Sequence, residues 1–143
     1  MNDTDGKQQV MDLIHEIGMK AQSDEEYMEM VKRVAQVFYY LKNAGVPPRH
    51  QRTIKVKSKD GFDITLTEIV KELIYHKPLL EVRVNWRPVG AFRAIFFYEQ
   101  DADGNQNLYF TKAVIKDNNY SEAFESIVVE SEIIMNDFYI GKE

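Results

Sequence analysis

The chain has 143 residues, 44% of them hydrophobic, and no cysteine; that is one domain's length, able to bury a core without staples, and it excludes disulfide frameworks and thiolate chemistry. No apolar run approaches the roughly 18 to 20 residues that a membrane span needs, and the polar start MNDTDGKQQ does not read as a signal peptide, so a soluble cytoplasmic protein with no membrane partner is expected. The formal net charge of -5 argues by itself against a nucleic-acid binder, but residues 1–41 carry -4, residues 42–116 carry +5 and residues 117–143 carry -6. Within the basic middle, Lys42, Arg49, Arg52, Lys55, Lys57 and Lys59 precede any acid. They make either a field that attracts a polyanion or an ordinary solvated loop.

Val10, Leu13, Ile14, Ile17 and Ala21 follow helical spacing and predict an amphipathic helix over residues 7–21. Ser23 followed by Glu26 has the form of a capping box. Tyr27, Val31, Val34, Phe38 and Leu41 then give the stripe of a second helix ending at Gly45, ahead of Pro47-Pro48. The pair should form a helical hairpin that covers a sheet. From Thr53 the period becomes two, and Ile54, Val56, Phe62, Ile64 and Leu66 flank Asp60-Gly61 as a β-hairpin. Thr67 to Tyr75 (TEIVKELIY) predicts a short helix with Ile69, Val70, Leu73 and Ile74 inward, closed by Pro78.

Leu80 to Glu99 (LEVRVNWRPVGAFRAIFFYE) is the most informative stretch, two apolar strands meeting at a Pro-Gly turn with one arginine in the middle of each. The shortest hairpin that aligns the apolar faces pairs Val84 with Phe92 and Val82 with Ala94, which sets Arg83 opposite Arg93 on the reverse face. Opposed cations need a compensating carboxylate, such as Glu81 or Glu99, or an anionic ligand. Both arginines are expected to lie off the main apolar face, so that alanine at either leaves the fold intact. After the turn Asp101 to Asn105, a third strand runs from Leu108 to about Ile115. The chain closes with a helix from Ser121 to about Phe138, with Ala123, Ile127, Val128, Ile134, Met135 and Phe138 inward. The expected class is therefore α+β: one domain over residues 1–143, an N-terminal helical hairpin on a mainly antiparallel meander, then a C-terminal helix.

His15, His50 and His76 are far apart, no P-loop or nucleophile-elbow pattern occurs, and the DADGN run lacks the glutamate of a calcium loop. No metal and no cofactor are expected. Arg83, Arg93 and Lys112 lie on three successive strands. If a bulge or a choice of register aligns the third, they form a cationic cluster, with Tyr75, Tyr98 or Tyr109 near, that can hold a phosphodiester and neutralise charge growing on it. The alternative is that Arg83 pairs with Glu81 or Glu99 and shields the sheet.

The order of two helices, a basic linker after LKNAGVP, then LLEVRVNW, GAFRAIFFYE, LYFTKAVIKD and a last helix resembles the RelE/HigB/ParE toxin superfamily, in particular its phage-derived HigB-like branch. The resemblance implies a RelE-like fold and a metal-independent endoribonuclease that cuts mRNA on the ribosome and is neutralised by a cognate antitoxin protein. By position it assigns Arg83, Arg93 and Lys112 to the reacting phosphate, and Arg49, Arg52, Lys55 and Lys57 to tracking the RNA backbone. The family's edge strand ahead of the first helix has no counterpart in MNDTDGK: either residues are missing ahead of this start, or the sheet has lost an edge, which would leave an exposed strand and through it a route to homo-oligomers. Two other functions fit the same scaffold: a catalytically silent phage or prophage module that binds a protein through its acidic helices, and ParE-like inhibition of a topoisomerase.

Overall fold

The computed structural model describes residues 3–117 and 121–141. Its elements run α1 (Asp3–Lys20), α2 (Glu25–Ala44), β1 (Ile54–Lys57), β2 (Asp63–Leu66), β3 (Val70–Glu72), β4 (Leu80–Trp86), β5 (Gly90–Gln100), β6 (Gln106–Lys116) and α3 (Glu122–Gly141), with 3-10 turns at Arg49–Gln51 and Ile74–His76. The α+β class and the order helical hairpin, antiparallel strands, helix are as expected. The cap of α2 is one residue later than its capping-box pattern implies: Asp24, not Ser23, is in extended geometry and accepts from the Glu26 N–H at 2.9 Å.

β1 and β2 pair alone as a two-stranded sheet, and β3-β4-β5-β6 form a four-stranded antiparallel one. Here the structure corrects the helix expected at Thr67–Tyr75. Val70–Glu72 pair with β4 through Val70↔Val82 and Glu72↔Leu80. Ile69 and Val70 are buried, and pairing satisfies the backbone of a strand that an isolated short helix would leave bare. The β4–β5 register is the expected one, with Val84↔Phe92, Val82↔Ala94 and Arg83↔Arg93. Between β5 and β6 the register shifts at Ile95/Phe96: Ile95 faces Lys112 and Phe96 faces Phe110, so Thr111 is an extra residue in β6. The bulge keeps Phe110, Ala113 and Ile115 on one face of the sheet and turns Lys112, Val114 and Lys116 to the other.

Both faces of the four-stranded sheet are covered. On one, Val82, Val84, Phe92, Ala94 and Phe96 pack with Val34, Val37 and Leu41 of α2, Val10 and Ile17 of α1, and Ile54, Val56 and Leu66 of the small hairpin. On the other, Ile95 and Phe97 pack beneath α3 with Ile127, Val128 and Met135, beside the rings of Tyr109, Phe138 and Tyr139. Ala123, expected inward, is exposed.

Two glutamines on helices close strand edges. The Gln9 amide donates to the Ala113 carbonyl at 2.9 Å and accepts from the Ala113 N–H at 2.7 Å. The Gln36 amide does the same to Lys57, at 2.7 Å in both directions. Each side chain satisfies the two backbone groups that another strand would otherwise satisfy.

Candidate functional site

Strand pairing makes Arg83 and Arg93 neighbours on the face that α3 covers. Glu81, two residues before Arg83 and so on the same face, stands between them. Its Oε1 accepts from Arg83 Nη1 at 3.2 Å and lies 3.4 Å from Arg93 Nε. Glu81 is 5% exposed and Arg93 4%, while the Arg83 side chain keeps 24% of its surface in water. Arg93 Nη1 donates to Asn85 Oδ1 and to the Phe92 carbonyl, both at 2.9 Å, and its buried Nε makes no hydrogen bond. Both arginines lie off the main apolar face, as expected, but the reverse face carries a second apolar cluster with α3, and on it Arg93 is buried while Arg83 stays partly exposed.

Burial first, and then the charge of Arg83, pull the Arg93 guanidinium down to about 10, with Glu81 opposing; it stays charged at neutral pH. The third cation in this field is Lys116. The register puts Lys116 across from Ala91 and Lys112 across from Ile95, with Val114 directly opposite Arg93. Lys116 is held below the usual lysine range by burial and then by Arg93, with Glu81 pulling the other way, and its ammonium lies 4.7 Å from the centre of the Phe124 ring. Lys112, the sequence candidate, is half-buried on the same face. Lys116 escaped the sequence reading because the bulge, which decides where β6 lysines point, leaves no local signature in LYFTKAVIK.

The four basic residues expected to track RNA do not join the arginine pair. Arg52 is buried, and its guanidinium grips both oxygens of Glu72 at 2.7 and 2.8 Å and donates to the Pro47 carbonyl at 2.9 Å. That arrangement braces the loop and holds the Glu72 carboxyl down at about 2, with Arg52 the main cause. Arg49 lies on the outer side of the same carboxylate at 3.5 Å, and Lys57 pairs with Asp63 at 2.5 Å. Lys55 lines an open groove between α2 and β1 with Lys32, Gln36, Tyr39 and Asn43. The small hairpin that carries Lys55 and Lys57 packs on the α1/α2 face of the sheet, opposite the arginines.

Elsewhere, Glu29 is buried in α2. Burial pushes its carboxyl up, but the Lys59 N–H at 2.9 Å and the Arg33 guanidinium at 2.7 Å outweigh it and hold the group below the usual range. Arg33 also lies over the Trp86 ring, 4.3 Å from its centre. His76 Nδ1 is bonded to Glu132 of α3. Among the described residues no group of His, Asp and Glu gathers to hold a metal ion, and no helix is long and apolar enough to cross a membrane. An apolar groove of about 290 Å³ lies between α1 and α2, lined by Met11, Ile14, Val31, Phe38 and Phe110 among others.

Chemically, the arginine cluster sets three cations, Arg83, Arg93 and Lys116, around the Glu81 carboxylate, with Arg83 and Lys116 partly open to water. Among the described residues no histidine or tyrosine hydroxyl hydrogen-bonds to Arg83, Arg93 or Glu81, so the proton acceptor this set offers is the Glu81 carboxylate, which the arginines already engage. No protein-family profile, curated protein or solved structure matches the chain.

Proposed function

We propose that this protein is a binding module on a RelE/HigB-like scaffold, working through a protein partner and not by cutting RNA. The observation that carries the reading is Glu81: its carboxylate already holds both strand arginines, and Arg93 is itself buried. A phosphodiester at this position would have to displace an internal carboxylate and reach a buried guanidinium. The acidic balance of α3, with five acids and no base between Glu122 and Gly141, points to a protein partner in preference to a polyanion.

A second reading keeps the nuclease. It is favoured by the surplus of positive charge and by the Arg93 Nε, which is ion-paired with Glu81 but makes no hydrogen bond, a donor that a phosphate oxygen would satisfy if the site opened. In it, Arg83, Arg93 and Lys112 bind the reacting phosphate of mRNA on the ribosome, and an antitoxin silences the protein.

Induced expression in a bacterial host, with growth followed and mRNA 5′ ends mapped, separates the two. Normal growth with intact transcripts is expected. New cleavage ends that vanish in Arg83→Ala/Lys112→Ala, a variant whose side chains are not in the sealed core, would replace the binding reading with the nuclease. Arrest with intact transcripts would point to a topoisomerase.

A further inference from the structure

The outward face of α3 repeats along its length. Glu122, Ser126, Val129, Ile133, Asn136 and Ile140 follow one another at spacings of four and three, and all are exposed. This is the seam spacing of a coiled coil. Val129, Ile133 and Ile140 are 55%, 57% and 66% exposed, whereas the residues that dock α3 on the sheet, Ile127, Val128 and Met135, form a different face. A helix already anchored by one apolar face thus presents a second.

The charges beside the seam say what fits it. By helical spacing Glu125 and Glu132 lie along one side and Glu130 and Asp137 along the other, and no lysine or arginine occurs between Glu122 and Gly141. A second copy of α3 would bring acids against acids. A helix with an apolar seam and lysine or arginine flanks meets opposite charge on both sides, which is how flanking positions select partners in helix pairs. Asn136 stands between the apolar Ile133 and Ile140 of the seam, where one polar residue can fix register. The 3-10 turn carrying the exposed Ile74 and Tyr75 is tied to α3 by His76 and Glu132.

We infer that the outer seam of α3 is the docking surface for a basic amphipathic helix of a protein partner. The inference rests on the binding-module reading and names its surface and the partner's chemistry.

The test uses the full chain and two labelled synthetic peptides of about three heptads, with leucine and isoleucine at the seam and either lysine or glutamate at the flanks. Fluorescence anisotropy should show saturable one-to-one binding of the lysine peptide, and binding of the glutamate peptide weaker by about tenfold or more. Ile133→Ser, which removes apolar surface and leaves the charge alone, should weaken the lysine peptide by about tenfold. Phe62→Ser, at an exposed residue of the β1–β2 hairpin, which packs on the opposite face of the sheet from α3, should leave it unchanged. Absence of binding, equal binding of both peptides, or indifference to Ile133→Ser would overturn the inference. So would a dimer of the chain, seen by sedimentation, that Ile133→Ser dissolves. If transcripts stay intact on expression and the peptides ignore α3, only the seam is lost; if transcripts are cleaved, the binding-module reading falls whatever the peptides do.

Discussion

Replacing Glu81 by glutamine keeps the shape of the side chain and removes the one carboxylate that the two cross-strand arginines share. Leaving a buried charge without its partner costs about 3 to 5 kcal/mol. Arg93 pays that cost in full because it is buried, whereas Arg83 keeps 24% of its side-chain surface exposed and can turn to water. The expected loss is therefore near the lower end, about 3 kcal/mol. With a urea slope of about 2 kcal/mol per molar, the unfolding midpoint read by far-UV circular dichroism should fall by about 1.5 M. The double variant Glu81→Gln/Arg93→Met should recover most of that loss, since an unpaired cation is replaced by apolar surface beside Ile95 and Phe97. A Glu81→Gln midpoint within about 0.25 M of wild type, or about 0.5 kcal/mol at the same slope, would refute the idea that Glu81 compensates the pair. Adding inorganic phosphate to the same titration gives a further readout. Stability regained with phosphate, and not with chloride at equal ionic strength, would mean that an external anion occupies the vacated position.

The Arg52–Glu72 pair predicts an acid limb: the Glu72 carboxyl is lowered to about 2 in the fold, so its contribution is complete above pH 4.5 and is lost as pH falls towards 2. It amounts to about 2 kcal/mol once partial solvent access is allowed for, and Glu72→Gln should flatten that part of the stability–pH curve. Thr111→Val removes a buried hydroxyl that bonds the Ile95 carbonyl at 3.0 Å and the Ser131 hydroxyl at 2.6 Å; a loss of about 1 to 3 kcal/mol is expected in the same urea assay, and Thr111→Ser should retain most of the stability. Gly90→Ala should destabilise the β4–β5 turn by about 2 kcal/mol or more, because Gly90 has φ 135° and an added Cβ would sit 2.8 Å from the Lys116 carbonyl oxygen. A Gly90→Ala protein as stable as wild type in thermal unfolding would show that the turn relaxes.

Alternation made the arginine hairpin legible: Leu80, Val82, Val84 and Trp86 on one strand and Phe92, Ala94 and Phe96 on the next admit one short register, and it is the one found. The helices were legible from their stripes for the same reason. β3 was not, because TEIVKELIY satisfies a helical stripe equally well and only the open edge of β4 decides the matter. Coverage of the arginine face was half legible. Phe92 to Phe97 is apolar on both faces apart from Arg93, the mark of a strand buried on both sides, yet no local pattern says that α3 is what covers it. Arg52 looked like one more base in a basic loop; its partner Glu72 is 20 residues on, and only the fold brings them together.

The glutamine that closes β6 belongs to α1, and the one that closes β1 belongs to α2. Edge protection in this protein is thus conditional on helix docking, unlike protection by a proline or a strand's own lysine, which persists whatever the neighbours do. A sub-global opening that lifts α1 withdraws Gln9 in the same motion and bares the backbone of Ala113. Resistance to strand-on-strand association then depends on how often that helix lifts, and so on a local equilibrium well short of global unfolding.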